Sequence, residues 1–374
     1  MNIGFDAKRV FHNATGLGNY SRDVLRVLAL ARPEHAYFAY TPSPGKMPFE
    51  VQGGRLEVRG PRGALGRAIP ALWRTRGIVG DLRADGVRLF HGLSNELPLG
   101  LERSGVASVV TIHDLIFERF PDLYPPIDRR IYAIKARSAV RRADVVVAVS
   151  EQTKRDLVEI YRVDPARIRV VHQTCHEAFR TPVPEARLRD VAARLSLPPR
   201  FLLAVGTIER RKNLLLALRA LEQLPGVFLV AVGRPTPYAA ELVSFARARG
   251  LSDRVRLLSG ISTPDLAAMY RLATVALYPS LFEGFGIPIV EALFSGTPVV
   301  TTKGGCFAEA GGPGSAYVDP HDADGLRDVI ARLLDDGRER ERMRAEGLRH
   351  AARFGEQAIA DGLFAAYDDA LRRG

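Results

Sequence analysis

Short runs of Val, Ile, Leu and Phe recur along the chain at intervals wide enough for one helix each. In the first half they are Asn2–Phe5, Ala36–Tyr40, Arg88–His91, Ala107–Ile112, Val145–Val149 and Ile168–Val171. In the second they are Phe201–Val205, Val227–Val232, Val255–Leu258, Thr274–Tyr278, Pro298–Thr301 and Ala316–Val318. Continuous apolar runs of this kind are strands buried on both faces, and helix-length spacing pairs them in parallel. About six per half is enough for one doubly wound α/β sheet in each. A chain of 374 residues has room for two such domains. Prolines in Arg180–Pro184 mark the expected junction, giving domains over 1–179 and 180–355. Ile359, Leu363, Phe364, Tyr367 and Leu371 recur at helical spacing and predict a closing amphipathic helix over 356–371.

With 47% hydrophobic and 25% charged residues, the composition excludes a disordered or fibrous chain. No apolar run approaches the ~18 residues of a membrane span. The start reads directly into a strand, so no signal peptide and a cytoplasmic location are expected. Cys175 and Cys306 lie far apart in no paired pattern and are expected to stay unbridged. The net charge of +11 suits nucleic acid, an anionic membrane or a phosphorylated small substrate. Only six of the 53 basic residues are lysines, so an arginine-rich bias also explains it. No basic-aromatic stacking pattern points to nucleic acid. The excess concentrates in Arg55–Arg88, where eight arginines face three acids. Arg62, Arg67, Arg74 and Arg76 alternate there with Leu65, Ile69, Leu72 and Trp73, the mixture of an amphipathic helix lying on anionic lipid or of a solvated surface.

In open α/β sheets ligands bind beyond the carboxyl ends of strands. After the strand ending at Tyr278 comes a loop with Glu283, Gly284, Phe285 and Gly286, then Ile287-Pro288 and a helix carrying Glu291. Glycines permit close backbone approach, proline suits the first helical turn, and the helix N-terminus at Ile287 offers N–H groups to a phosphate. Glu291 is placed to accept from a sugar diol and Glu283 to meet a reacting centre, although a first-turn Glu also complements the helix dipole. After Val205 come Gly206 and then Arg210, Arg211 and Lys212, cations suited to a diphosphate. Thr15–Ser21 brings Gly16 and Gly18, without the third glycine of a dinucleotide fingerprint. His113 and His91 end two strands, and Ser150 precedes a helix it can cap. His172, Cys175 and His176 lack a fourth ligand for zinc, and Asp322 and Asp324 read as helix capping.

The stretch Glu283-Gly-Phe-Gly-Ile-Pro-Ile-Val-Glu291 resembles the Glu-x7-Glu signature of retaining glycosyltransferases of family 4. The resemblance implies the GT-B fold, two Rossmann-like doubly wound domains facing each other across a cleft, with the closing helix packing back on the first. It implies an acceptor-binding N-terminal domain and a donor-binding C-terminal one. It assigns Glu291 to the nucleotide ribose, Glu283 to the donor sugar, and Arg211 and Lys212 to the diphosphate. Thr207 stands where the widespread pattern has Arg, which leaves Arg210 or Arg211 as its substitute. His113 resembles the histidine that reaches the donor sugar, with Gly16 and Gly18 closing over it. His91 and Ser150 are acceptor-side candidates.

The function so implied is retaining transfer of a hexose from a nucleotide-diphosphate sugar to a glycan or lipid-linked acceptor. No cofactor or metal is expected. The opening Ile3–Arg9 with the Thr15–Ser21 loop resembles bacterial mannosyltransferases of surface-polysaccharide assembly, which ranks GDP-mannose before UDP-glucose. Peripheral contact with the inner face of the cell membrane is a further expectation. The alternatives are a sugar-nucleotide epimerase of the same fold, a dinucleotide oxidoreductase and a non-catalytic sugar-nucleotide-binding protein.

Overall fold

A computed structural model describes the chain apart from residues 14, 44, 46, 48, 52 and 53. It divides into two compact units: Met1–Thr174 with Gly355–Gly374, and Cys175–Phe354.

The first unit holds β1 (Asn2–Asp6), β2 (Ala36–Tyr40), β3 (Arg55–Arg59), β4 (Leu89–Gly92), β5 (Ala107–Ile112), β6 (Val145–Ala148) and β7 (Ile168–Val170). They form one parallel sheet in the order β3-β2-β1-β4-β5-β6-β7. Every residue of β4, β5 and β6 is buried because helices cover both faces. Alternate side chains serve opposite cores. Leu89 and Val109 join the core beneath helices Gly16–Ala31 and Glu356–Arg373. Phe90 and Val110 join the one beneath Pro126–Arg142. The closing helix buries Ile359, Leu363, Tyr367 and Ala370 in the first of these cores.

The sequence pattern shows six strands here and the structure has seven. β3 is an edge strand, mostly exposed and carrying Arg55, Glu57 and Arg59, so it lacks the apolar run of a central strand. The amphipathic helix expected around Trp73 is interrupted. After β3 a short helix spans Ala64–Ala68, the chain departs from helix at Ile69, and an unbroken helical run follows through Pro70–Leu72, a π-turn at Trp73–Gly77 and Ile78–Ala84. Trp73 is 4% exposed, with its indole N–H donating to Asp81 at 2.7 Å, so it is a core residue. Arg74 is held by Asp6 and Glu96 at 2.7 and 2.8 Å.

The second unit holds β8 (Phe201–Val205), β9 (Phe228–Val232), β10 (Val255–Leu258), β11 (Val275–Tyr278), β12 (Val299–Thr302) and β13 (Ala316–Val318). The sheet is parallel, in the order β10-β9-β8-β11-β12-β13. Its chain order reverses between β8 and β11, so the loops after those two strands flank the switch point where such sheets bind ligands. Cys175–Phe179 belongs to this unit. The Phe179 ring packs on Tyr270 at 5.7 Å, and Arg271 donates to the Phe179 carbonyl at 3.1 Å. No helix among the described residues is long and apolar enough to cross a membrane.

Candidate active site

Two loops of the second unit meet beyond β8 and β11. Gly206 follows β8 at φ 144°, a conformation open to glycine, and its carbonyl leaves no room for a Cβ on Gly233 after β9. The chain then makes a 3-10 turn, Arg210–Lys212, which leaves Asn213 in the left-handed region before the helix Leu214–Glu222. Arg211 and Lys212 are thereby turned toward the loop after β11. That loop is tied in by the Leu281 N–H, which donates to the Arg211 carbonyl at 2.9 Å.

Glu283 lies between the two cations. Lys212 Nζ is 2.6 Å from its Oε1 and Arg211 Nη1 is 2.6 Å from its Oε2. Burial alone would raise the Glu283 pKa, but Lys212 and Arg211 overcome it and hold the carboxyl down to about 2. It is therefore ionised at neutral pH. Burial draws Lys212 below the ordinary lysine value, against the pull of Glu283. Arg211 is buried too, yet Glu283 and Glu209 keep it firmly protonated. Lys212 also donates to Tyr278 Oη at 2.9 Å, and Arg211 to the Phe282 carbonyl at 2.8 Å and to Glu209 at 2.6 Å. With Glu209 included, two cations balance two carboxylates. A small pocket here is lined by Gly206, Lys212, Tyr278 and Ser280. The Ser280 hydroxyl is buried with no hydrogen-bond partner among the described residues.

Arg210 stands apart. Its guanidinium makes two 2.7 Å bonds to Glu241 on the surface and lies over the Tyr238 ring. Of the two candidate arginines, only Arg211 joins Lys212 and Glu283.

Gly286, at φ 111°, caps the helix Ile287–Phe294, with Ile287 as its first residue and Pro288 as its second. Gly284 is buried in the turn between Glu283 and Phe285. Phe285 is buried, its ring packs on Phe354 at 5.3 Å, and Cys306 Sγ donates to its carbonyl at 2.9 Å. Glu291 lies one turn further on and accepts from Tyr270 Oη at 3.0 Å. Tyr278, Glu209 and Tyr270 were missed by sequence reasoning. Tyr278 and Tyr270 read as ordinary apolar positions, and only the fold brings them to Lys212 and Glu291.

In the first unit, His113 is buried against Tyr20, with ring centroids 4.6 Å apart. Its Nε2 meets the Leu93 carbonyl at 2.8 Å and its Nδ1 meets Gln173 Nε2 at 3.0 Å. A carbonyl only accepts, so Nε2 carries the proton and Nδ1 accepts from the Gln173 amide. Burial lowers its pKa to about 4, and the ring is neutral near pH 7. His91 does not reach an acceptor-facing surface as expected. It is fully buried between Tyr367 Oη and Thr111 Oγ1, each at 2.8 Å, and burial lowers its pKa to about 3. Ser150 is buried and caps the helix Glu151–Tyr161, accepting from the Thr153 N–H at 3.0 Å. Gly16 opens the helix Gly16–Ala31 with open space where a Cβ would be. Gly18 is glycine because the Asn13 carbonyl lies 1.8 Å from where its Cβ would stand. Asp322 caps the helix Ala323–Asp335 through the Gly325 N–H at 2.8 Å, and His176 accepts from the Ala178 N–H at 3.2 Å. Cys175 and Cys306 are buried and form no disulfide. Among the described residues, no three His, Cys, Asp or Glu side chains cluster as metal ligands would.

Two family models cover the two units: Glycosyltransferase Family 4 over residues 14–175 and Glycosyl transferases group 1 over residues 190–350. The chain is 31% identical over 331 residues to a D-inositol 3-phosphate glycosyltransferase of Thermobispora bispora, covering 83% of this chain and 76% of the relative. It is 28% identical over 372 residues to the O-antigen chain mannosyltransferase B of Escherichia coli, covering 95% and 96%. Among solved structures it resembles sucrose-phosphate synthase from Thermosynechococcus elongatus, with TM-score 0.76, 22% identity and full coverage of both chains. It also resembles Anabaena HepE in complex with UDP and glucose, with TM-score 0.76, 19% identity and coverage of 98% and 99%. Two parallel Rossmann-like sheets, the paired carboxylates after β11 and these similarities converge: the chain belongs to the group 1 glycosyltransferases of family 4 and has the GT-B fold.

Proposed function

We propose that this glycosyltransferase moves a hexose, with retention of anomeric configuration and without a metal, from a nucleotide-diphosphate sugar to a glycan or lipid-linked hydroxyl. The observation that carries the reading is the buried cluster of Arg211, Lys212 and Glu283 at the switch point, beside the helix that begins at Ile287. Mannose is the favoured sugar, with GDP-mannose ahead of UDP-glucose as donor.

In this reaction the bond from the anomeric carbon to the diphosphate breaks and a bond to the acceptor oxygen forms on the same face. The acceptor proton passes to a diphosphate oxygen. Arg211 and Lys212 meet the charge developing on the leaving group, a preorganised electrostatic contribution of the kind that dominates many enzymes. Two fixed cations thus fill the role a metal would have. Glu283 is ionised but spends both oxygens on cations, which makes it a poor nucleophile. Its role is to hold the sugar, while Glu291 takes the ribose and Gly206, Gly284, Gly286 and Ile287 let the backbone approach the phosphates. In the first unit Gly16 leaves space for the donor, and His113, neutral and anchored by its Nε2–H on the Leu93 carbonyl, accepts from a sugar hydroxyl at Nδ1 once the Gln173 amide is displaced, rather than serving as an acid or base.

The test is a thermal-shift panel of nucleotide sugars, because a ligand that binds only the folded state must raise its melting temperature. GDP-mannose is expected to stabilise the wild type and to be slowly hydrolysed by it, with hydrolysis lost in Glu283→Ala. Stabilisation without turnover of any donor would favour a non-catalytic binding protein, and hydride transfer to an added nicotinamide cofactor would favour an oxidoreductase.

A further inference from the structure

The helix Pro126–Arg142 leaves three isoleucines exposed, while Tyr132 packs on Phe117 and Tyr124. Ile127, Ile131 and Ile134 are 75%, 43% and 61% exposed, and their i, i+4, i+7 spacing sets them on one stripe. The opposite side is buried by small residues only, Ala136, Ala139 and Val140. At about 3.6 residues per turn, Arg130, Arg137 and Arg141 run along one flank of the stripe and Lys135 along the other. The helix carries six cations against one acid, Asp128. Arg137, Lys135 and Arg142 reach Glu118, Glu96 and Glu102 at 3.7, 3.1 and 3.3 Å. Arg129, Arg130 and Arg141 make no ion pair among the described residues.

A neighbouring segment shows the same mixture. Leu65, Ile69 and Leu72 are exposed, and Trp73 beside them shares its core with Ala136 and Ala139. Glu96 joins the two segments, pairing with Arg74 at 2.8 Å and Lys135 at 3.1 Å.

Apolar stripes of this kind on a soluble surface mark something that covers them. A second copy would bring two faces of the same positive excess together, which repels. A nucleic acid would satisfy the arginines but offer the isoleucines nothing. An anionic bilayer supplies both halves, acyl chains for the stripe and headgroup phosphates for its flanks. We infer that the helix Pro126–Arg142 lies on an anionic lipid surface, with its isoleucine stripe seated among the lipids. The inference is independent of the sugar chemistry proposed above.

The test is co-sedimentation of the full chain with phosphatidylglycerol vesicles and with phosphatidylcholine vesicles at about 0.01 M salt, where screening is weakest. Two variants are compared: Ile127→Ser with Ile131→Ser and Ile134→Ser, and Arg130→Glu with Arg141→Glu. Circular dichroism and melting check that each folds, and sedimentation velocity follows the oligomeric state. Expected is wild-type binding to the anionic vesicles only, weakened at least about tenfold in both variants. Should the serine variant misfold, the arginine variant, which touches exposed charges alone, carries the test. The inference is overturned if the wild type fails to bind phosphatidylglycerol, if a folded variant binds like the wild type, or if the serine changes instead dissociate a dimer that ignores vesicles.

Discussion

Replacing Glu283 with Gln should destabilise the second unit by about 3 kcal/mol at pH 7, and the loss should fade in acid. Glu283 is 8% exposed, and its carboxyl sits at about 2 rather than the ordinary 4.5 because Lys212 and Arg211 outweigh the cost of burial. At about 1.4 kcal/mol per unit, that difference is worth about 3 kcal/mol of stability. The figure is near the about 3–5 kcal/mol that breaking a buried ion pair costs. The sign follows from linkage. A carboxyl whose pKa is depressed on folding contributes fully above about pH 4.5, and its contribution is lost as pH falls toward 2. Wild type and Glu283→Gln should therefore differ by about 3 kcal/mol at pH 7 and by roughly half that near pH 3. Urea unfolding followed by far-ultraviolet circular dichroism across this range measures the difference. Hydrogen exchange of peptides from Cys175–Phe354 assigns the transition to the right unit. A difference that stays constant between pH 7 and pH 3 would refute the claim that Glu283 is the ionised partner of the two cations.

Other substitutions separate the site from its surroundings. Lys212→Met should lower transfer by about 10²–10³-fold, the scale of losing one charge-stabilising donor, and abolish stabilisation by a nucleoside diphosphate in a thermal-shift assay. Arg210→Ala removes a surface pair with Glu241 and an exposed contact over the Tyr238 ring and should cost no more than about 1 kcal/mol, with near-wild-type transfer, whereas Arg211→Ala should lose most activity. Tyr367→Phe removes the hydroxyl that meets His91 and should cost about 1 kcal/mol in urea unfolding with kcat unchanged, as suits a structural histidine. Trp73 is the only tryptophan of the chain and is buried, so its fluorescence maximum should not move when anionic vesicles are added.

Both sheets were legible because their central strands are buried on two faces and leave unbroken apolar runs. β3 was not, since an exposed edge strand with three charged residues carries no such run. The place of Trp73 was misread for a related reason. The alternation of Arg with large apolar residues looked like one amphipathic helix with Trp73 on its outer face, but the helix is interrupted at Ile69 and carries a π-turn at Trp73–Gly77, with Trp73 buried and Leu65, Ile69 and Leu72 exposed. The stripe of Ile127, Ile131 and Ile134 went unnoticed because an outward-facing stripe has the same period as a core-facing one. Lys212, Arg211 and Glu283 were legible from strand-end position and motif. The mutual neutralisation that fixes the protonation of Glu283 was not, because it depends on two loops about 70 residues apart meeting in space. His91 was misjudged because its burial depends on Tyr367, which reaches it from the closing helix.

The most direct test of the central claim is the anomeric configuration of the sugar released or transferred, followed by proton NMR from the first turnovers. The donor is the nucleotide sugar that stabilises the protein most, and wild type is compared with Lys212→Met. Expected is a product with the anomeric configuration of the donor, formed with a chelator present and all but absent in Lys212→Met. An inverted product, or undiminished turnover without the Lys212 ammonium, would contradict it.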